Sequence, residues 1–186
     1  MTDPSASPAP THAARLAARI AAGDAVVGVI GLGYVGLPLA LTFAEKGIRA
    51  LGFDIDAAKV AAIAARQSYF RHIPSARVAA AAAAGRLDAT GDFARLAEVD
   101  AIVVCVPTPL TVHREPDMSY VVGTTETIAR HLRPGQLVVL ESSTFPGTTD
   151  EVMRPILERG GLVSGRDFFL AFSPEREDPG NERYDT

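Results

Sequence analysis

A chain of 186 residues is long enough for one domain with a substantial buried core. Its hydrophobic fraction of 47%, with Ala-rich stretches and glycines between apolar runs, suits an α/β protein. With 18 basic and 22 acidic residues, a net charge of −4 and no basic block, it carries no footprint for nucleic acid or an anionic membrane.

The residues before the first expected strand, 1–24, read as a flexible arm. Residues 1–11 are Pro/Ser/Ala-rich text that cannot bury enough apolar surface to order itself. A short Ala/Arg-rich helix is expected at His12–Ala22, outside the main fold, and Gly23-Asp24 ends it. The N-terminus lacks the basic-then-apolar order of a signal peptide. No apolar run approaches the roughly 18–20 residues of a spanning helix. A cytoplasmic setting with no membrane partner is therefore expected. Cys105 is the single cysteine, which excludes an intrachain disulfide and a cysteine-based zinc cage, so no metal site is expected.

From residue 25 to 186, strands and helices alternate at the rhythm of βαβ units. The run 25–30 is a short apolar strand closed by glycines, as expected of a strand buried on both faces. Residues 34–46 are helical, with Leu37, Leu41 and Ala44 on one face, and Gly47 stops them. A second strand is expected at 48–53 and a second helix at 56–66, capped by Asp56. Residues 68–74 read as a loop, 75–84 as an Ala-rich helix, and Leu87–Thr90 as a short strand. The run 101–106 (AIVVCV) is the clearest strand, closed by Pro107-Thr108-Pro109. Then follow a helix at Ser119–His131, a strand at 136–140, a helix at 148–159 and a last strand at 168–172. About six strands with covering helices predict an α/β fold, a doubly wound parallel sheet of the Rossmann type.

Gly31-Leu32-Gly33-Tyr34-Val35-Gly36 is a G-x-G-x-x-G placed right after the first strand and opening the first helix. Alone this pattern is weak; in that position it is strong. The first glycine permits the tight turn, the second lets a diphosphate approach the backbone, and the third allows close helix–strand packing. The helix N-terminus adds unpaired N–H groups and a positive dipole end. Asp54 ends the second strand, about 20 residues on, where a carboxylate accepts from ribose hydroxyls. A 2′-phosphate there would meet Asp54 and Asp56 with no adjacent arginine, so NAD is expected over NADP.

Three more segments follow strand ends, where ligands gather in open α/β sheets: VPTP (106–109), ESSTFPG (141–147) and SPEREDPGN (173–181). Together with GLGYVGLPLA and FDID, in this order, they closely resemble the UDP-glucose/GDP-mannose dehydrogenase family, from about Val26 to Asn181. The text SYxxHIPS at 68–75, EPDMSY at 115–120 and the SPER segment are most similar to its UDP-N-acetylglucosamine 6-dehydrogenase branch. The resemblance implies oxidation of a UDP-sugar C6 alcohol to a carboxylate in two hydride transfers, reducing two NAD, for a surface polysaccharide. It implies that the turn 31–36, chiefly the backbone of Gly33, Tyr34 and Val35, holds the diphosphate while Asp54 and Lys59 bracket the adenosine ribose. Thr108, Ser143 and Thr144 would line the nicotinamide side. Thr144 and Glu175 would be catalytic, positioning water or relaying protons at C6. Cys105, inside the apolar run AIVVCV, reads from its own position as a packing residue, a small buried hydrophobe.

The family's cysteine nucleophile, central helical region and UDP-gripping domain lie beyond this text. The resemblance therefore implies half of a two-domain cleft, inactive on sugar alone, from a parent that is a homodimer or larger. A UDP-N-acetylmannosamine or UDP-glucose dehydrogenase is the alternative within the class. A non-catalytic dinucleotide module, or half of a split enzyme, is the alternative outside it.

Overall fold

The computed structural model describes residues 10–110, 112 and 116–174. Six parallel strands form one sheet: β1 (Val26–Ile30), β2 (Arg49–Phe53), β3 (Leu87–Thr90), β4 (Ala101–Val104), β5 (Leu137–Leu140) and β6 (Phe169–Phe172). Their order is β3-β2-β1-β4-β5-β6, so the chain winds out one way from β1, returns, and winds out the other way. This is the doubly wound order with its switch point between β1 and β4.

The register follows from residues that are apolar at successive positions. Val29, Val103, Val139 and Ala171 lie side by side across four strands, as do Gly28, Ile102, Val138 and Leu170 one position earlier. Successive side chains point to opposite faces, so each row feeds a different core. One core holds Val29 and Val103 with Leu37, Leu41, Ile63 and Val78. These come from α2 (Gly36–Glu45), α3 (Ala57–Ala64) and α4 (Ser75–Ala83). The other holds Ile102 and Val138 with Val121 and Ile128 of α5 (Ser119–His131), Met153, and Leu157 of α6 (Arg154–Leu157).

Most expected elements are present, with ends trimmed by a residue or two. Asp56 caps α3, its side chain accepting from the Ala58 amide at 2.9 Å. The helix expected at 148–159 is irregular: Thr148–Met153 is a π-helix, Arg154–Leu157 is α-helical and Glu158–Gly160 is a 3₁₀ turn. Pro155 has no N–H to send back to Glu151, so a regular i→i−4 ladder cannot run through it.

Helix α1 (His12–Ala22) has the predicted bounds, with Thr11 and Gly23 as its caps. It packs against the sheet rather than standing apart. Leu16 is buried, and Arg19 meets the Asp100 carboxylate at 2.8 Å. Asp100 precedes β4 and also accepts from the Val26 amide at 2.9 Å and from Arg133 at 3.2 Å. It thus ties α1, β1 and the approach to β5 at the sheet end opposite the glycine turn. Burial alone would raise its pKa; the Val26 amide and the two arginines outweigh that and hold it below the usual carboxylate value. Among the described residues no helix is long and apolar enough to cross a membrane, and no cluster of His, Cys, Asp or Glu could hold a metal ion.

Candidate cofactor site

Two of the three glycines in the turn after β1 are required by close contacts. Gly31 has φ +90°, and a Cβ there would lie 2.5 Å from the Cys105 carbonyl oxygen on the neighbouring loop. A Cβ on Gly36 would collide with the Gly31 carbonyl oxygen across the turn. Gly33 differs, because a Cβ there would meet nothing within 4 Å. Its missing side chain leaves open space at the mouth of α2, where a ligand backbone could approach.

The amides of the turn divide into two groups. Gly31 N–H donates to the Phe53 carbonyl at 2.8 Å and Leu32 N–H to Asp54 Oδ2 at 2.8 Å, so both are used within the protein. The N–H groups of Gly33, Tyr34 and Val35 donate to no acceptor among the described residues. Three unpaired donors at a helix N-terminus make an anion cradle. Leu32 is engaged on every side within the protein: its side chain is fully buried over Gly52, its amide donates to Asp54 and its carbonyl accepts from Tyr69. Its part is to anchor the turn.

Asp54 is buried at the end of β2 yet keeps its charge. Oδ2 accepts from Leu32 N–H and from Lys59 Nζ at 3.0 Å, and Oδ1 accepts from the Asp56 amide at 2.9 Å. Burial by itself pushes the carboxyl pKa up. The Asp56 amide, the Lys59 ammonium and the Leu32 amide together override it, so the group sits below its ordinary value. A carboxylate offers about four lone-pair directions, and three protein donors leave about one on Oδ1 for a ribose hydroxyl.

Gly31, Gly33, Tyr34, Val35, Asp54 and Lys59 line one cleft of about 510 Å³. Cys105, Val106 and Pro107 close its far wall, and Tyr120 of α5 also reaches it. Cys105 is buried behind Gly31.

Thr108, Ser143 and Thr144 do not line this cleft. Ser143 is exposed and Thr108 half-buried, each on a loop following β4 or β5. Thr144 is half-buried and borders a separate hollow of about 290 Å³ with Phe145, Pro146, Gly147 and Phe172. Glu175 lies outside the described residues. The residue that joins the two loops is Ser142, which is buried and donates to the Val106 carbonyl at 2.7 Å. No signal in the text could have found it, because its partner lies 36 residues away in the chain.

Tyr69 is a second residue that sequence reasoning passed over except as a family marker. Its hydroxyl donates to the Leu32 carbonyl at 2.7 Å, and its ring packs on Phe70 at 4.8 Å between centroids. Phe70 in turn touches Tyr34 at 4.7 Å, so the loop after α3 braces the glycine turn from outside.

The strand order, with a glycine turn and strand-end carboxylate meeting at the switch point, defines a dinucleotide-binding domain of the Rossmann type. Residues 25–186 match the UDP-glucose/GDP-mannose dehydrogenase family, NAD binding domain, and the chain belongs to that family. Its cofactor is NAD, and the residues present fit it: unpaired amides for the diphosphate and an acceptor for the ribose.

The chain is 36% identical over 162 residues to UDP-N-acetyl-D-glucosamine 6-dehydrogenase of Pseudomonas aeruginosa, covering 87% of this chain and 37% of that protein. It is 35% identical over 158 residues to UDP-N-acetyl-D-mannosamine dehydrogenase of Pyrococcus horikoshii, covering 83% and 37%. Among solved structures it resembles NDP-N-acetyl-D-galactosaminuronic acid dehydrogenase of Methanosarcina mazei Go1, with TM-score 0.79, 31% identity, and coverage of 91% and 38%. The chain thus spans little more than a third of the length of the curated relatives it matches.

Proposed function

We propose that this chain is the cofactor half of a cytoplasmic UDP-sugar 6-dehydrogenase, oxidising a C6 alcohol to a carboxylate with two NAD for a surface polysaccharide. The observation that carries the reading is the single cleft on which the unpaired amides of Gly33 and Val35, Asp54 and Lys59 converge. When bound there, NAD supplies the hydride acceptor. The chain's own groups bind and orient: the turn amides donate to the diphosphate, Asp54 accepts from a ribose hydroxyl, and Lys59 keeps that carboxylate ionised.

In this reading Thr108, Ser143 and Thr144 line the nicotinamide side. Thr144 and Glu175 position water or relay a proton at C6. Support comes from their positions after β4, β5 and β6, since ligands in open α/β sheets bind beyond the carboxyl ends of the strands. The second half of the cleft belongs to a partner region or subunit, and the working enzyme is a homodimer or larger.

The sugar is UDP-N-acetylglucosamine, on the strength of the text at 68–75 and 115–120. Relatives named for the glucosamine and mannosamine substrates match at 36% and 35%, so identity does not choose between them. Titration of the chain with NAD and NADP is expected to show NAD bound at least about tenfold more tightly, by the charge of the ribose pocket. Equal affinities would defeat the ribose argument. Assay of the full-length enzyme with the three UDP-sugars tests the branch, and a preference for UDP-N-acetylmannosamine or UDP-glucose would overturn it.

A further inference from the structure

The Leu32–Gly33 peptide is held from both sides. On the side of Asp54, the preceding amide, Leu32 N–H, is bonded to Oδ2 at 2.8 Å. On the other side, the Leu32 carbonyl accepts from the Tyr69 hydroxyl at 2.7 Å. That carbonyl belongs to the same peptide unit as the Gly33 N–H, which points to no protein acceptor among the described residues. A donor on the C=O of an amide polarises the whole unit and makes its N–H a stronger donor. Tyr69 therefore acts on the one N–H at the position where the missing Cβ of Gly33 leaves open space.

The loop carrying Tyr69 is built to keep it there. Ser68 N–H donates to the Ser75 hydroxyl at 3.0 Å, and the Ser68 hydroxyl accepts from Phe70 N–H at 3.1 Å, which folds the loop back onto α4. Ile73 is buried beneath it. The Tyr69 ring is half-buried against Phe70, so the hydroxyl reaches Leu32 from a fixed base. Burial, with Asp54 and Asp56 nearby, raises its pKa, so it remains a proton donor across the physiological range.

We propose that Tyr69 is a positioning residue of the cofactor site, which sets and strengthens the Gly33 amide for the diphosphate through the Leu32 carbonyl. Tyr69 does this only if the turn cradles a diphosphate, as proposed above. It does not touch the ligand itself.

The test is Tyr69→Phe, which keeps the ring and removes only the hydroxyl. Binding of ADP and of adenosine, which shares base and ribose but carries no phosphate, is measured for wild type and variant. Tyr69→Phe is expected to weaken ADP by about 2- to 5-fold, the lost polarisation of one charge-assisted hydrogen bond, and to leave adenosine unchanged. In amide NMR spectra the Gly33 proton is expected to move upfield, with α3 and α4 signals unmoved. Equal weakening of both ligands, or an unmoved Gly33 signal, overturns the positioning role and leaves a merely structural one. If the wild type binds adenosine and ADP alike, the diphosphate cradle itself fails and takes this role with it. If Tyr69→Phe lowers the melting temperature, the ligand ratio is read at a temperature where both proteins are folded.

Discussion

Asp54 Oδ2 accepts the Leu32 amide at 2.8 Å, so the acid that ends β2 and the turn that follows β1 form one hydrogen-bonded unit. The same oxygen takes Lys59 Nζ at 3.0 Å. A change at Asp54 therefore acts on ribose binding, on the shape of the turn and on a lysine charge together.

Asp54→Asn is expected to weaken NAD binding by about 10- to 100-fold, the size of one or two charge-assisted hydrogen bonds. It also leaves Lys59 without its carboxylate partner. Affinity for NADP should fall less than that for NAD, or rise, because a lysine charge then faces the 2′-phosphate. Paired calorimetric titrations check this; a uniform loss for both cofactors would mean that Asp54 serves only the turn.

Gly33 and Gly36 are expected to fail in opposite ways. A methyl on Gly33 meets nothing within 4 Å, so Gly33→Ala should fold and melt like the wild type while losing most NAD binding. A methyl on Gly36 runs into the Gly31 carbonyl, so Gly36→Ala should cost about 1–3 kcal/mol or more, lowering the melting temperature by several degrees. Thermal melts beside cofactor titrations separate the two, and normal NAD binding by Gly33→Ala would count against the cradle.

Asp54 and Asp100 give the fold an acid-sensitive component. Both carboxyls sit below their ordinary value of 3.8 in the folded chain. The unfolded state thus takes up protons first as pH falls. Their contribution is complete above about pH 5 and is lost as pH drops through 3.8 toward the lower folded values. Melting temperatures should be level from pH 7 to 5 and fall below 4. In Asp100→Asn the fall should be shallower, from a lower starting point. An unchanged slope in that variant would place the acid sensitivity elsewhere.

Arg19 and Asp100 should contribute unequally to the docking of α1. Arg19 is about half exposed and one of three donors to Asp100, so Arg19→Ala should cost under about 1 kcal/mol. It should speed amide exchange within His12–Ala22. Asp100→Ala leaves the Val26 amide without its acceptor and removes the carboxylate partner of both arginines, which keep only backbone carbonyls, and should cost about 2 kcal/mol or more. Hydrogen exchange and denaturant melts measure both; equal costs would contradict this division.

The periodic apolar text of each strand and helix, the glycine turn and the capping aspartate at Asp56 were legible in the sequence because they are local. A strand buried on both faces reads as a continuous apolar run, and a cap sits next to the helix it serves. That Gly33 and Asp54 share one cleft was legible for the same reason, since both stand at fixed offsets from strand ends, whereas Lys59 was expected there only from the family resemblance. Thr144 illustrates the limit. Motif text says only that it follows the fifth strand, and the fold adds that it lies beside Phe172 on a hollow separate from the cleft of Asp54. The regular helix expected at 148–159 gave way for a reason present in the text, the missing N–H of Pro155, but its outcome as a π-helix depends on packing against α5.

What the sequence by itself determined is the α/β alternation and the place of the glycine turn between the first strand and the helix that follows it. Only the tertiary structure decided that Tyr69 closes on Leu32 from 37 residues away, that Ser142 links two loops across 36, and that Asp100 holds α1 to the sheet across 81. Each of these is a polar group whose partner is chosen by burial rather than by neighbourhood. A donor or acceptor withdrawn from water must find its match wherever the packed chain has placed one.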